Sequence, residues 1–140
     1  MEIVEILFNK FDEELYLALL DKIKNNAKKW NFNSSLDVSQ NITQNSLKIL
    51  KSNGGSICFN FYDIQIFGLK FKYFGLYINM YSGFESDLLF FIDKDEFDKY
   101  DILEIKKMAE KSAKFLNAEE FYCGLEPASD ENTQFFKKTR

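Results

Sequence analysis

The sequence predicts an α+β fold in which a mainly antiparallel sheet of about four to five strands carries helices on one face. Some segments repeat apolar residues every three or four positions, which predicts helices. Others are rich in aromatic and β-branched residues, which predicts strands. Three such strands follow one another directly, and consecutive strands join most simply as antiparallel neighbours. The predicted order is β-α-α-β-β-β-α-β, within a single globular domain that spans residues 1–140.

The N-terminal region is predicted to form a strand and then a helix. Residues 2–8 alternate apolar and acidic side chains, as a strand with one buried face does. Asp12 is the predicted N-cap of the helix, and the acids that follow it suit the positive end of the helix dipole. Apolar residues at helical spacing give the predicted inward face: Leu15, Leu19, Ile23, Ala27 and Trp30. The helix is therefore expected to reach Trp30.

The next region is predicted to contain a loop and a short second helix. Residues 31–42 are rich in Asn and Ser, which predicts a loop with at most a short extended piece. Thr43 is the predicted N-cap of a helix whose inward face includes Leu47 and Leu50. An Asn-Gly-Gly sequence at 53–55 is expected to end this helix, because glycine readily adopts the left-handed conformation after a last turn.

Residues 56–92 predict three strands whose alternation is interrupted twice. Up to Phe61 the apolar residues of the strand occupy odd positions, whereas from Ile64 they occupy even positions. A turn or bulge is therefore predicted between Phe61 and Ile64. A second change of parity is predicted near Gly75, because glycine inside a strand often marks a bulge. Residues 87–92 form a short apolar run that suits a central strand.

The C-terminal region predicts a third helix and a last strand. Asp101 and Glu104 have the spacing of a capping box at the start of the helix. Asn117 is its predicted C-cap. The predicted inward face consists of Ile105, Met108, Ala109, Ser112 and Leu116. Residues 119–123 are the last predicted strand, and the chain from Glu126 onwards is predicted to be a polar segment without regular structure.

The composition argues against most kinds of catalytic site. The chain has no histidine, which removes the commonest general acid or base and the usual zinc ligand. Its two cysteines, Cys58 and Cys123, lie in apolar runs and are expected to be free and buried. We therefore predict a protein that is not an enzyme and that needs no cofactor. Catalysis by a pair of carboxylates stays open, since such a pair is not recognisable in one sequence.

The acidic segment at residues 93–104 has some features of a calcium-binding loop. Acids occupy its first, third, ninth and twelfth positions, as in an EF-hand. Its fifth position is Phe97, and its sixth is Asp98 where the turn requires glycine. We therefore predict no metal site. The segment is interpreted either as a strand-to-helix loop whose acids favour the helix N-terminus or as an acidic recognition patch.

Charge is distributed unevenly along the chain. Residues 1–80 carry a net charge of +1 and residues 81–140 a net charge of −5, and the only arginine is Arg140. An acidic half repels nucleic acid and anionic membranes and attracts a basic partner. We therefore predict no nucleic-acid partner and no membrane partner. The N-terminus has no pattern of a secretion signal, so a cytoplasmic location is expected.

The last third of the chain resembles a known family. Residues 121–136 pass from an aromatic-rich strand into Gly-x-Glu-Pro-Ala-x-Asp and then a pair of aromatics. This ending resembles that of small bacterial immunity proteins encoded beside polymorphic or contact-dependent toxins, and the helix and strand order at 101–123 is compatible. Cys123 stands where that ending would have a second glycine.

The resemblance implies stoichiometric inhibition, in which an acidic surface docks on a basic toxin, often a nuclease. The candidate partner-binding residues are the acids of the C-terminal half: Asp93, Asp95, Glu96, Asp98, Glu126, Asp130 and Glu131. Two alternatives stay open. One is a small-ligand or enzyme domain with the aromatic sheet as pocket wall. The other is a self-associating domain, such as a homodimer, that buries an aromatic patch. Tyr73, Tyr77 and Tyr81 share one parity, as expected of a half-buried sheet face or a binding surface.

Overall fold

The structure is a computed structural model, and it describes residues 2–81, 83 and 85–139. Along the chain, single strands and helices alternate up to the second helix, and runs of consecutive strands or helices follow. The elements are β1 (Ile3–Asn9), α1 (Glu13–Asn25), β2 (Ala27–Ser34), α2 (Gln44–Asn53), β3 (Ser56–Ile66), β4 (Leu69–Asn79), β5 (Asp87–Asp93), α3 (Lys94–Phe97), α4 (Ile102–Leu116), β6 (Glu120–Leu125) and β7 (Gln134–Lys138).

Within the described residues, the strands form one seven-stranded sheet in the order β2-β3-β4-β5-β1-β6-β7, and each pair of neighbouring strands is antiparallel. The predicted α+β class is therefore confirmed, whereas the predicted count of four to five strands and the predicted order β-α-α-β-β-β-α-β are wrong. The N-terminal strand β1 lies inside the sheet, between β5 and β6. The two additional strands, β2 and β7, are the edges of the sheet.

The first helix ends earlier than predicted, because the residues after it form β2. Trp30 was expected on the helix face, but it pairs with Phe61 in β3. Its ring centroid lies 5.5 Å from that of Phe59, and the ring centroid of Phe32 lies 5.2 Å from the same ring. Trp30 and Phe32 thus follow the two-residue period of a strand. Pairing with β3, which is distant in sequence, outweighs the helical spacing of Ala27 and Trp30.

The segment after β6 also contains a strand that the sequence did not predict. In β7, Phe136 lies opposite Cys123 and Lys137 lies opposite Tyr122. The ring centroid of Phe136 is 6.0 Å from that of Phe121, so the strand adds one aromatic side chain to the core. Only five residues form the strand, and two of them are lysines at an exposed edge, so its apolar pattern is weak.

The helix boundaries follow the capping residues that the sequence indicates. Asp101 and Glu104 form a capping box at the start of α4, and Asn117 adopts a left-handed conformation with φ 55° at its end. Thr43 forms a capping box with Ser46 at the start of α2. Gly54 follows α2 with φ 69°. These predictions depend on local chemistry, and all of them are confirmed.

One of the two predicted changes of parity is confirmed, and the other is misplaced. Asp63 has φ 51°, and the buried face changes there from the parity of Phe61 to that of Ile64. In β4 the change occurs between Phe71 and Phe74, both of which are buried. The change of parity in β4 therefore lies opposite Asp63 and not at Gly75. Both strands of the hairpin change their buried face at the same level.

One face of the sheet packs against the helices and forms the core. Its rings meet at close range: the centroids of Phe8 and Phe90 lie 4.9 Å apart, and those of Phe74 and Phe90 lie 4.8 Å apart. Tyr16 of α1 and Ile105 of α4 are fully buried in the same cluster. Strand residues of the opposite parity are mostly half-exposed, so the second face of the sheet is left open to solvent.

Within the part of the chain that the structure describes, no helix is long and apolar enough to cross a membrane. The same residues include no group of three or more His, Cys, Asp or Glu side chains placed to hold a metal ion. Neither cysteine forms a disulfide: Cys123 is buried and Cys58 is half-buried. Burial raises the pKa of both thiols.

Candidate binding surface

Two acidic segments that are distant in sequence lie at the same end of the sheet. Segment 93–98 follows β5, segment 126–131 follows β6, and β1 begins between them. Ile3 of β1 pairs with Asp93, and its carbonyl oxygen accepts a hydrogen bond of 3.1 Å from the backbone N–H of Glu126. We call these two segments the acidic edge. The structure thus brings the predicted binding residues into one region.

The acidic side chains of this edge differ in how available they are. Asp95, Glu126 and Glu131 are exposed. Asp98 is exposed but pairs with Lys94 at 2.8 Å, which neutralises part of its charge. Asp93 is half-buried. Asp95, Glu126 and Glu131 are therefore the predicted residues best placed to face a partner.

Glu96 is buried, with 8% of its surface exposed, and its carboxylate is occupied inside the protein. One oxygen accepts a hydrogen bond from the backbone N–H of Lys72, and the other accepts one of 3.2 Å from the N–H of Tyr73. The pairing of β4 with β5 stops at Gly75, so these two donors of β4 lie beyond the last paired residue. Glu96 satisfies them and is unavailable to a partner.

Asp130 also has an internal role, in the loop between β6 and β7. Its Oδ1 accepts a hydrogen bond of 3.0 Å from the backbone N–H of Asn132, and its backbone carbonyl accepts one of 3.1 Å from the N–H of Thr133. Side-chain bonds of this kind fix the shape of a turn. Asp130 thus shapes the loop on which Glu126 and Glu131 are displayed.

The same loop is tied to the sheet through Ala128. Its backbone N–H donates a 2.9 Å hydrogen bond to Oε1 of Glu5, and its carbonyl accepts one of 2.9 Å from Nε2 of Gln134. A Cβ at Gly124 would lie 2.7 Å from the carbonyl oxygen of Thr133, so a side chain there would clash with backbone. The geometry of the loop thus explains three residues of the Gly-x-Glu-Pro-Ala-x-Asp pattern: Gly124, Ala128 and Asp130.

Glu5 is the buried acid beside this loop, and its surroundings oppose its ionisation. Burial raises the pKa of its carboxyl group, the hydrogen bond from Ala128 lowers it, and the charge of Glu126 raises it. The net shift is upward. A positive group brought to this edge would favour the ionised form of Glu5.

Lysines occupy the neighbouring part of the same sheet end. A cleft of about 830 Å³ lies where β2 starts, β3 ends and β4 starts, next to Glu96. Four lysines contribute to its lining: Lys28, Lys70, Lys72 and Lys99. This end of the molecule is therefore divided, with acids beside β5, β1 and β6 and lysines beside β2, β3 and β4.

The open face of the sheet carries a continuous apolar row. Tyr77 of β4 pairs with Leu89 of β5, which pairs with Leu7 of β1, which pairs with Tyr122 of β6. All four are half-exposed, and Phe91 lies beside the row with its ring centroid 6.0 Å from that of Tyr77. We call these five residues the open-face strip. The strip does not line either of the two described clefts, so it is not their pocket wall.

The sequence indicated only part of this strip. The shared parity of Tyr73 and Tyr77 suggested a half-buried sheet face, and both residues are half-exposed on the open face. Leu7, Leu89 and Tyr122 were missed, because the row they form exists only through pairings between strands that are far apart in sequence. Segment 87–92 has apolar residues at both odd and even positions, which was the signal in the sequence for an apolar open face. The same pattern is typical of a central strand that is buried on both faces.

Comparisons with known proteins agree along nearly the whole chain. The sequence model of the family described as "PABL017 Cdi1I immunity protein" matches residues 2–140. A solved structure is similar with a TM-score of 0.78 and 27% sequence identity, covering 99% of this chain and 96% of that one. It is described as a crystal structure of the toxic C-terminal tip of CdiA from Pseudomonas aeruginosa in complex with immune protein. No curated protein sequence matches the chain.

Proposed function

This chain belongs to the Cdi1I immunity protein family, and as an immunity protein it binds and neutralises a cognate toxin. We propose that it does so by stoichiometric inhibition, in which the acidic edge docks on a basic surface of the toxin. The observation that carries the proposal is the match over residues 2–140 together with the grouping of two acidic segments at one sheet end. The resemblance seen in the last third of the sequence thus extends to the whole chain.

Opposite charges give such a complex speed and selectivity more than raw affinity. Complementary potentials steer two proteins together, and like charges reject wrong partners. Asp95, Glu126 and Glu131 supply exposed negative charge on the acidic edge. We infer a basic toxin surface opposite them, which is what a nuclease presents to a phosphate backbone. A nuclease is therefore the toxin class that we propose, and cells that express the toxin alone should show degraded RNA or DNA.

The action proposed is inhibition by binding, without a chemical step. The free thiols of Cys58 and Cys123 suit the reducing cytoplasm, which is where we propose that the protein works. The small-ligand alternative has less support, because the open-face strip lines neither of the two described clefts, and the larger cleft has four lysines beside Phe71 and Tyr100. We propose a complex with one copy of each protein.

Co-expression with the toxin domain encoded beside this gene tests the function. The wild-type protein should restore growth to cells that produce the toxin domain. Loss of viability despite soluble wild-type protein would show that the chain does not neutralise this toxin.

A charge variant tests the docking surface. Asp95→Asn, Glu126→Gln and Glu131→Gln together remove three charges from the acidic edge. The matched control removes three exposed acids from the helices, through Glu14→Gln, Asp21→Asn and Glu110→Gln. We expect association with the purified toxin domain to slow by about tenfold or more at low salt in the first variant only. Equal association rates for the two variants would exclude the acidic edge as the docking surface.

A further inference from the structure

The open face of the sheet has the composition of a protein interface. Antiparallel sheets that face water on one side normally alternate buried apolar residues with exposed polar ones. Here the row of Tyr77, Leu89, Leu7 and Tyr122 crosses four adjacent strands without a charged side chain. Interface centres are enriched in aromatic residues and depleted of charge in this way, whereas a solvated sheet face is not.

The aromatic side chains near this row are held in place before any partner arrives. The ring centroids of Tyr62 and Tyr73 are 5.7 Å apart, and the hydroxyl of Tyr73 donates a 2.6 Å hydrogen bond to Oδ1 of Asn60. A Cβ at Gly75 would lie 3.0 Å from that hydroxyl oxygen, so the ring of Tyr73 lies close against the glycine. Side chains that are already ordered lose little entropy on binding, which favours tight association.

Charged residues of both signs border the strip: Lys137 of β7 lies opposite Tyr122, and Glu120 pairs with Lys10 at 3.6 Å. Asp87 lies in β5 opposite Asn79, and Glu120 lies in β6 opposite Asn9, on one side of the row. On the other side Glu5 pairs with Phe91, and it accepts the hydrogen bond that anchors the loop of the acidic edge. The strip and the acidic edge are therefore continuous, and the exposed acids of the acidic edge would meet a positively charged part of a partner.

The dimensions of the strip indicate how much further surface an interface with a protein would need. Strands lie about 4.8 Å apart, so the four strands of the strip span about 14 Å from the first to the last. A stable interface buries about 800 Å² on each partner. The strip alone is too small for that, so a protein partner bound on it would also contact the adjoining acidic edge.

We propose that the cognate toxin binds across the open face of the sheet, with the open-face strip as the apolar centre of the interface and the acidic edge as its charged rim. This inference rests on the proposed function, since the toxin is the partner. It adds that desolvation of Leu89 and its neighbours holds the complex together, while the acids set the rate at which it forms.

Substitution of the central residue tests this inference. Leu89→Asp places a charge in the middle of the strip, and Leu103→Asp is the matched control on α4, where the leucine is 62% exposed. We expect Leu89→Asp to weaken binding of the purified toxin domain by about thirtyfold or more and to abolish protection of growth. Leu103→Asp should bind and protect like wild type. Tyr122→Ala is a second variant, for the case in which the charge at position 89 disturbs folding. It removes only a half-exposed ring and should also weaken binding.

The outcomes separate this inference from the proposed function. Protection by wild type and by Leu103→Asp, with loss of it in folded Leu89→Asp or Tyr122→Ala, supports the open face as the binding surface. Equal protection by all of them would overturn the open face while leaving the function intact. A dimer of the free protein that Leu89→Asp dissociates without loss of protection would also overturn it, since the face would then bind a second copy. Failure of wild type to protect would overturn both.

Discussion

Glu96 illustrates how residues of one charge run take different roles. Asp95, Glu96 and Asp98 are neighbours in the chain, and nothing in the sequence separates them. In the folded protein, Asp95 is exposed, Asp98 pairs with Lys94, and Glu96 is buried against β4. The sequence could therefore predict that this region is acidic, but not which carboxylate is used internally. That assignment depends on the N–H groups of Lys72 and Tyr73 in β4, which precede Glu96 by 24 and 23 residues.

Loss of the charge at Glu96 should destabilise the fold. Both carboxylate oxygens of Glu96 accept backbone hydrogen bonds, whereas the amide of Glu96→Gln offers only one acceptor and turns a donor toward an N–H. We expect the free energy of unfolding in urea to fall by about 1–3 kcal/mol. The control Asp95→Asn changes an exposed acid of the same helix and should stay within about 0.5 kcal/mol of wild type. Equal stability of the two variants would show that the Glu96 bonds contribute little.

The β3–β4 hairpin is the element whose shape depends most on a single backbone conformation. After Asp63, its end folds onto the helices: the backbone N–H of Gln65 donates a 3.3 Å hydrogen bond to the carbonyl of Asn26. The ring centroids of Phe67 and Phe115 lie 6.2 Å apart. The left-handed conformation of Asp63 thus allows one hairpin to serve both as sheet and as cover for the ends of α1 and α4.

A β-branched residue at position 63 should be costly. Asp tolerates the left-handed region, whereas Val does not, so Asp63→Val should lower the free energy of unfolding by about 1–2 kcal/mol. Gln65→Val is the matched control, since Gln65 is exposed on the same strand without a positive φ and Val favours strands. It should leave stability within about 0.5 kcal/mol. Equal thermal and urea stability of the two variants would contradict a constrained turn at Asp63.

Elements were predictable from the sequence where local chemistry determines them. The caps at Thr43, Asp101 and Asn117 and the parity change at Asp63 are all present. The two edge strands were not predictable. Trp30 and its neighbours matched a helical spacing by coincidence, and β7 has a weak pattern of its own. Both strands exist because an adjacent strand of the sheet supplies their hydrogen bonds.

At the scale of the whole molecule, charge and apolar surface are sorted by the topology of the sheet. The sequence indicated an acidic C-terminal half, and the order β5-β1-β6 brings its two acidic segments to one end. The lysines of the neighbouring cleft were not predictable as a group, since Lys28, Lys70 and Lys99 come from three distant parts of the chain. The open-face strip was also hidden, because it consists of one or two residues from each of four strands.

The most direct test of this account is a calorimetric titration of the purified protein with the toxin domain encoded beside its gene. We expect a complex with one copy of each protein, a Kd in the nanomolar range or tighter, about −12 kcal/mol or more favourable, and a Kd that rises as salt increases from low to physiological concentration. A complex whose affinity does not depend on salt would contradict an acidic surface docked on a basic one. The absence of any complex would contradict the central claim that this chain neutralises its toxin by binding it.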